Sequence, residues 1–293
     1  MTLRVAYLGP RGTFTEDALR EATGGADVEA VPAPSVYAAI ISVQAGEADR
    51  ALVPFENSIE GAVSATLDTL AFDADGVTLI GEYDLPIRHC LIARDPVSLD
   101  RIEVVLSHPQ ASAQCAHFIR ERLPGAEVRA AASTAEAVRL VREHREPWAA
   151  LGAASAAELY DCAVLEDGVE DSPDNVTRFV WVAPAGTEAD GTGPWRTSLV
   201  FSELGEDRPG ALVDALRVFS DREVNLTRIE SRPLRRGLGR YMFFLDLEGA
   251  ASDEGVGDAI EALRTKAESV RVLGSYPTSP QRGVPGSDLP ETG

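Results

Sequence analysis

Two short stretches put reactive side chains at the mouth of an apolar strand: Glu56-Asn57-Ser58 and Thr177-Arg178-Phe179. The first follows the strand-like run Ala51 to Phe55, and the second opens the run Phe179 to Val182. Three polar side chains directly after an apolar strand face a site or serve no purpose. A bland turn likewise needs no hydroxyl, guanidinium and aromatic ring together. Three further corners share the design: Gly9 to Glu16, Ser107-His108-Pro109-Gln110 and Ser133 to Glu136. In each, a strand ends, small or polar residues turn the chain, and a helix begins. Ligands of open α/β sheets sit beyond the carboxyl ends of the strands. Helix N-termini there offer free N–H groups and positive partial charge. The expected ligand is a small anion with more than one carboxylate or phosphate. Thr13-Phe14-Thr15-Glu16 and Ser133-Thr134-Ala135-Glu136 also read as capping boxes, which need no ligand. Gly9-Pro10-Arg11-Gly12 is neither G-x-G-x-x-G nor a Walker loop, which speaks against dinucleotide and ATP.

The elements that carry these corners alternate. Strands are expected at Arg4–Leu8, Ala51–Phe55, Val77–Glu82, Ile87–Ala93, Ile102–Leu106, Val128–Ala132 and Trp148–Gly152. Helices are expected after Thr13, over Val63–Leu70, from Pro109 to about Arg122, after Ser133, and over Ala153–Tyr160. Such alternation predicts an α/β architecture with mostly parallel strands. TEADGTGP (187–194) is a linker by composition. Beyond it the order is strand, helix, strand, strand, helix, strand, the ferredoxin-like βαββαβ plan. The end of the chain, 277–293, is rich in Pro, Gly and Ser and reads as disordered.

Composition narrows the function. The chain has 293 residues and is 44% hydrophobic, as an ordinary globular protein is. Its net charge of −20 argues against nucleic acid, which needs a basic face. It does not argue against small anions, because local fields can oppose the net charge. No apolar run approaches a membrane span and no signal-peptide pattern opens the chain, so a cytoplasmic location is expected. Three widely spaced cysteines suit reduced thiols, and four histidines without companion ligands give no readable metal site.

Taken in order, YLGPRGTFTE (7–16), PFENSIEG (54–61), SHPQASAQC (107–115), STAEA (133–137) and NVTRF (175–179) closely resemble prephenate dehydratase. GALV (210–213) and ESRP (230–233) resemble the stretches with which the ACT regulatory domain of those enzymes binds phenylalanine. The resemblance runs from about residue 4 to 276. It implies a catalytic domain over 1–183 built of two α/β lobes around a cleft, like type II periplasmic binding proteins. Lobe 1 would comprise 1–79 and 157–183, and lobe 2 would comprise 80–156. A linker (184–196), an α+β ferredoxin-like ACT domain (197–276) and the tail would follow.

The chemistry implied is loss of CO2 and hydroxide from opposite carbons of a cyclohexadienol. Aromatisation drives it, and no cofactor or metal is implied. Thr177 would contact the leaving hydroxyl, as a hydrogen-bond donor in a proton relay. Glu56 is a second candidate acid, if burial raises its pKa. Asn57, Ser58, Ser107 and Gln114 would bind polar groups of the substrate, and Thr13, Ser133 and Thr134 would surround a carboxylate. Arg178 would pair either with a substrate carboxylate or with Asp171 or Asp174. Phe179 would pack on the substrate ring or serve as core. Gly210, Ala211, Leu212, Val213, Asn225, Glu230 and Ser231 would bind L-phenylalanine where two ACT domains pair, in a homodimer or homotetramer. With no chorismate mutase region ahead of the motifs, a monofunctional enzyme is expected. Arogenate is the alternative substrate, since no residue distinguishes it from prephenate. The rival from another class is a non-catalytic sensor of a small ligand, but a binder of a dicarboxylate would favour several arginines over Glu56, Asn57 and Thr177. A purely structural protein would have no use for four polar corners facing one cleft.

Overall fold

The structure is a computed structural model that describes residues 2–204 and 209–278. The expected disordered tail therefore lies, from residue 279 on, outside the described residues.

The chain begins with β1 (Leu3–Leu8), α1 (Phe14–Ala22), β2 (Val28–Ala33), α2 (Val36–Gln44), β3 (Arg50–Asn57), β4 (Gly61–Ala62), α3 (Ser64–Phe72) and β5 (Val77–Pro86). A second lobe follows: β6 (Cys90–Ala93), β7 (Val104–Ser107), α4 (Pro109–Gln114), α5 (Ala116–Arg122), β8 (Glu127–Ala130), α6 (Thr134–Glu143), β9 (Trp148–Gly152), α7 (Ala154–Leu159) and β10 (Ala163–Glu166). The chain returns through β11 (Val176–Pro184). The last unit is β12 (Trp195–Ser202), α8 (Ala211–Ser220), β13 (Leu226–Pro233), β14 (Tyr241–Glu248), α9 (Glu254–Arg264) and β15 (Ser269–Pro277).

Lobe 2 is built on one sheet, in the order β10-β6-β9-β7-β8. Lobe 1 and the C-terminal unit share the other, in the order β13-β14-β12-β15-β5-β11-β3-β1-β2. This moves the expected lobe boundaries. β5 pairs with β11 along its whole length, from Val77 opposite Pro184 to Pro86 opposite Val176, so lobe 1 extends to residue 86 rather than 79. β10 pairs with β6, so residues 163–166 belong to lobe 2. The two crossings lie at 87–89 and 167–175. The pairing of β11 with both β3 and β5 makes the return strand an interior strand of the lobe 1 sheet.

The C-terminal unit has the ferredoxin-like strand order, with α8 and α9 on one face. Leu199, Phe201, Leu245 and Leu247 pack there against Phe219, Ile260 and Leu263. The opposite face is not left to solvent. Val200, Met242, Phe244, Leu273 and Tyr276 join Phe55, Leu67, Leu70, Val180 and Val182 of lobe 1 in one core. The sheets merge at Gly274 opposite Leu79, where a side chain would collide with the Leu79 carbonyl. The strand alternation that makes each strand two-sided therefore joins the two units as one body, rather than beads on the linker.

Local corrections follow from partners the sequence does not show. The Thr13 capping box does not form: Thr13 Oγ1 donates to the Leu8 carbonyl, and Glu16 accepts from Gly12 N and Tyr7 OH instead. Ser133 does cap, accepting from Glu136 N, while the Glu136 carboxylate turns to Arg139. The expected helix from Pro109 to Arg122 is broken at Cys115, whose φ of −116° and ψ of 19° end α4 and start α5.

Candidate functional site

A cavity of about 590 Å³ lies between the lobes. Lobe 1 contributes the β1–α1 corner, the end of β3 and the start of β11. Lobe 2 contributes the start of α4 and the start of α6, and the first crossing contributes His89. Its walls include Thr13, Phe14, Asn57, Gln114, Ser133, Thr134, Thr177 and Phe179. Six stretches spread along the sequence are thus brought to one space, at the ends of strands and the N-termini of α1 and α6. No arginine or lysine among the described residues lines the cavity; Glu136, which does, is paired with Arg139. Positive potential must come from helix N-termini and neutral donors. The Thr134 hydroxyl has no hydrogen bond among the described residues, while Ser133 is occupied as the cap of α6.

Thr177 sits directly opposite Asn57 in the β11–β3 ladder. Asn57 Oδ1 accepts from the backbone amides of Ile59 and Glu60, both at 3.0 Å. A backbone N–H can only donate, so this fixes which end of the amide carries hydrogen. Asn57 Nδ2 then donates to Asn175 Oδ1 at 2.8 Å and to Thr177 Oγ1 at 2.9 Å. With its oxygen accepting from Asn57, the Thr177 hydroxyl keeps its proton for another acceptor. Asn57 itself is fully engaged and does not offer a free donor to a ligand, contrary to the sequence expectation of substrate contact.

Strand alternation separates the Thr-Arg-Phe triplet. Thr177 and Phe179 face the cavity, and Arg178 points through the opposite face of the sheet. There its guanidinium meets Asp246 at 2.6 Å, Glu56 at 2.7 Å and Glu82 at 3.4 Å, and stacks over Phe55. Asp171 and Asp174, the partners expected from sequence, are not involved. Asp171 accepts from the first amides of α5 instead. Burial works to lower the Arg178 pKa, but Asp246 and Glu82 outweigh it and raise the guanidinium above its ordinary value. Burial also works to raise the Asp246 pKa, but Arg178 and Arg228 hold the carboxyl below the usual range.

Three other candidates leave the cavity with it. Glu56 pairs with Arg178 and Arg228 on that far face, so it does not serve as a buried acid there. Ser58 bonds the Asp174 carbonyl and accepts from Val176 N, closing the loop that carries Thr177. Ser107 is fully buried inside lobe 2 and donates to the Leu151 carbonyl, tying β7 to β9. Conversely, the cavity recruits side chains that the sequence did not single out. His89 follows the charged Arg88 just before the apolar run Cys90 to Ala93, and Phe14 lies inside the expected helix. Asn175 bonds Asn57 and Gln114 behind the wall.

The candidate effector residues lie in the C-terminal unit. Gly210 adopts φ 84° as the cap of α8, a left-handed conformation that suits glycine. Ala211 opens α8 and Leu212 packs partly on the helix–sheet core, whereas Val213 is exposed. Asn225 and Ser231 are exposed around the terminal strand β13, and Glu230 is half-buried. No helix among the described residues is long and apolar enough to cross a membrane. No three His, Cys, Asp or Glu side chains are grouped as a metal would need, among the same residues.

The sequence matches the family model "Prephenate dehydratase" over residues 5–187. The chain belongs to the prephenate dehydratase family. Residues 203–265 match the ACT domain model. A prephenate dehydratase of Mycobacterium sp. (strain JLS) is 41% identical over 292 residues, 96% of this chain and 91% of its own. The structure of prephenate dehydratase from Arthrobacter aurescens in complex with L-Phe superposes with a TM-score of 0.86 at 42% identity, covering 94% of this chain and 90% of that one. GqqA, described as a novel type of quorum quenching acylase, superposes with a TM-score of 0.82 at 31% identity, covering 94% and 98%. As a prephenate dehydratase the chain is a carbon–oxygen lyase. It converts prephenate to phenylpyruvate with loss of carbon dioxide and water.

Proposed function

We propose that the inter-lobe cavity is the site of prephenate dehydration and that Thr177 donates its proton-bearing hydrogen bond to the leaving hydroxyl. The observation that carries this reading is the Asn57 Nδ2 to Thr177 Oγ1 bond, whose polarity leaves the Thr177 proton free. Threonine is too weak an acid to protonate the ring hydroxyl before it departs, so it acts by placing a donor where charge develops as the C–O bond breaks. The two substrate carboxylates lie against the N-termini of α1 and α6, with the first backbone amides of those helices, the Thr134 hydroxyl and the Gln114 amide as donors. Phe179 forms an apolar wall for the ring. Aromatisation supplies the driving force, so orientation of the dianion is the main task of the protein. Acyl transfer is a poorer fit. It requires a nucleophile bonded to a base, and Thr177 is bonded to an amide, while Nε2 of His89 meets Gln114 and Nδ1 of His108 accepts from Gln110 N.

L-phenylalanine is the proposed effector, bound by Gly210 to Val213 together with Asn225, Glu230 and Ser231 of a neighbouring ACT domain, in a homodimer or homotetramer of the cytoplasm. Two connections support coupling to the cavity. Arg178 ties the strand residue next to Thr177 to Asp246. Arg232 and Arg235 grip Asp68 of α3, and Arg271 holds the carbonyls of Leu70 and Ala74 at its end; Val63, just before α3, lines the cavity.

Purified chain incubated with prephenate should release phenylpyruvate, less so with L-phenylalanine present. Thr177→Ala should lower kcat by about 10²-fold, the scale of a positioned proton donor. Near-normal turnover by that variant removes Thr177 from the role. Turnover of arogenate in preference to prephenate would reassign the substrate.

A further inference from the structure

His89 is 2% exposed yet lies on the cavity wall, and nothing so far uses its ring. Its Nε2 is 3.2 Å from Gln114 Oε1. The polarity of that contact is set from a distance. The amides of Ile59 and Glu60 orient Asn57, and Asn57 Nδ2 donates to Asn175 Oδ1. Asn175 Nδ2 must then donate onward, to Gln114 Oε1 at 3.0 Å. Gln114 Oε1 is therefore an acceptor, and His89 must meet it with Nε2–H. The other ring nitrogen, Nδ1, is buried without a partner among the described residues.

We propose that His89, as the neutral Nε2–H tautomer, is a positioning residue that clamps the Gln114 oxygen and so presents the Gln114 NH2 group to a substrate oxygen. Gln114 needs such a clamp. It ends α4, which is only six residues long, and the chain bends at the next residue. Its Nε2 has one protein contact among the described residues, Glu60 Oε1 at a long 3.5 Å. The amide proton not turned to Glu60 is thus available to the cavity, while two bonds from behind hold the oxygen.

The surroundings keep the ring neutral. A second proton would sit on Nδ1, where no acceptor is in reach. Burial disfavours the cation and lowers the His89 pKa, against a smaller upward pull from the Gln114 contact and Glu170. Glu170, the carboxylate that acts on the ring, is committed to Arg88 and to the His89 backbone amide. The Phe14 ring meets the imidazole at 90° with centroids 5.1 Å apart, closing another side.

The inference rests on the cavity being the prephenate site, and its test separates the two claims. Long-range 15N–1H spectra of histidine-labelled protein need no substrate. They should show one imidazole, missing in His89→Gln, with Nε2 protonated and Nδ1 bare, that does not titrate between about pH 5.5 and 8 around the ordinary histidine value. A Nδ1–H tautomer, or a ring that titrates in that range, overturns the proposal. In kinetics, His89→Gln keeps a donor at the Nε2 position, whereas His89→Asn and His89→Leu do not. The Asn and Leu variants should lose about 10-fold in kcat/KM, mainly through KM, the scale of one lost hydrogen bond. His89→Gln should stay within about 3-fold of the wild type, by the same scale. Equal loss in all three variants, or loss in none, refutes the role. If His89→Leu does not fold, the Gln and Asn variants with the spectra decide. A wild type that shows the expected tautomer but no turnover of prephenate would sink the assignment of the cavity instead.

Discussion

Replacing Arg178 by methionine tests whether the guanidinium binds substrate or holds the molecule together. Its side chain is 9% exposed, and Asp246 and Glu82 beside it are 1% and 2% exposed. Removing it strands both carboxylates. Glu82 keeps Arg196, and Asp246 keeps the Ser198 hydroxyl at 2.6 Å, so neither is wholly abandoned. Breaking a buried pair from one side costs about 3–5 kcal/mol, and the retained partners place this case near the lower end. For a chain of this size each kcal/mol shifts Tm by roughly 2–4 °C, so a fall of about 10 °C is expected. Adding Asp246→Asn should restore part of it, because the uncompensated charge is gone. KM for prephenate, measured well below the new Tm, should stay within about 3-fold, since no lost contact is to substrate. A ligand of a substrate carboxylate behaves differently. Its loss removes a charge-assisted bond of about 1.5–3 kcal/mol and raises KM by roughly 10- to 150-fold. An Arg178→Met protein with wild-type Tm and a KM raised 10-fold or more would refute the structural assignment.

Two further outcomes are expected. Ser107→Ala should lower stability by about 1 kcal/mol through the lost bond to Leu151, read as a small downward shift of the thermal transition, with unchanged KM. A rise in KM would return Ser107 to the substrate. Acid should weaken the seam between lobe 1 and the ACT unit. Folded Asp246 sits below its ordinary value of 3.8, so its contribution is complete above that pH and is lost as pH falls through the depressed value. Asp68 is depressed too: burial opposes this, but Arg232 and Arg235 prevail. Tm plotted from pH 5 down to pH 3 should therefore drop more steeply for the wild type than for Asp246→Asn, and parallel curves would contradict the linkage.

Much was legible along the chain because it depends on near neighbours. The alternation of apolar runs and polar corners gave the α/β class, and the βαββαβ order gave the second unit. Ser133 announced the start of α6 by its spacing to Glu136. The corners that line the cavity were readable as strand ends meeting helix starts. Other elements were hidden for local reasons. β2 carries Pro32 and forms the exposed edge of the sheet, so it lacks a buried strand's pattern. α2 has apolar residues almost all round, which leaves no polar stripe to reveal it.

Residue types and order therefore determined the fold class, the motifs and the family. Which side chains share a space was decided only in three dimensions. Successive residues of a strand point to opposite faces, so Thr177 looks into the cavity while Arg178 joins Asp246, 68 positions away. The same strand had to be paired on both sides before either face had a meaning, and those partners, β3 and β5, come from distant parts of the chain. His89 gained its role only when folding set it beside Gln114 and, through Asn175 and Asn57, beside Thr177.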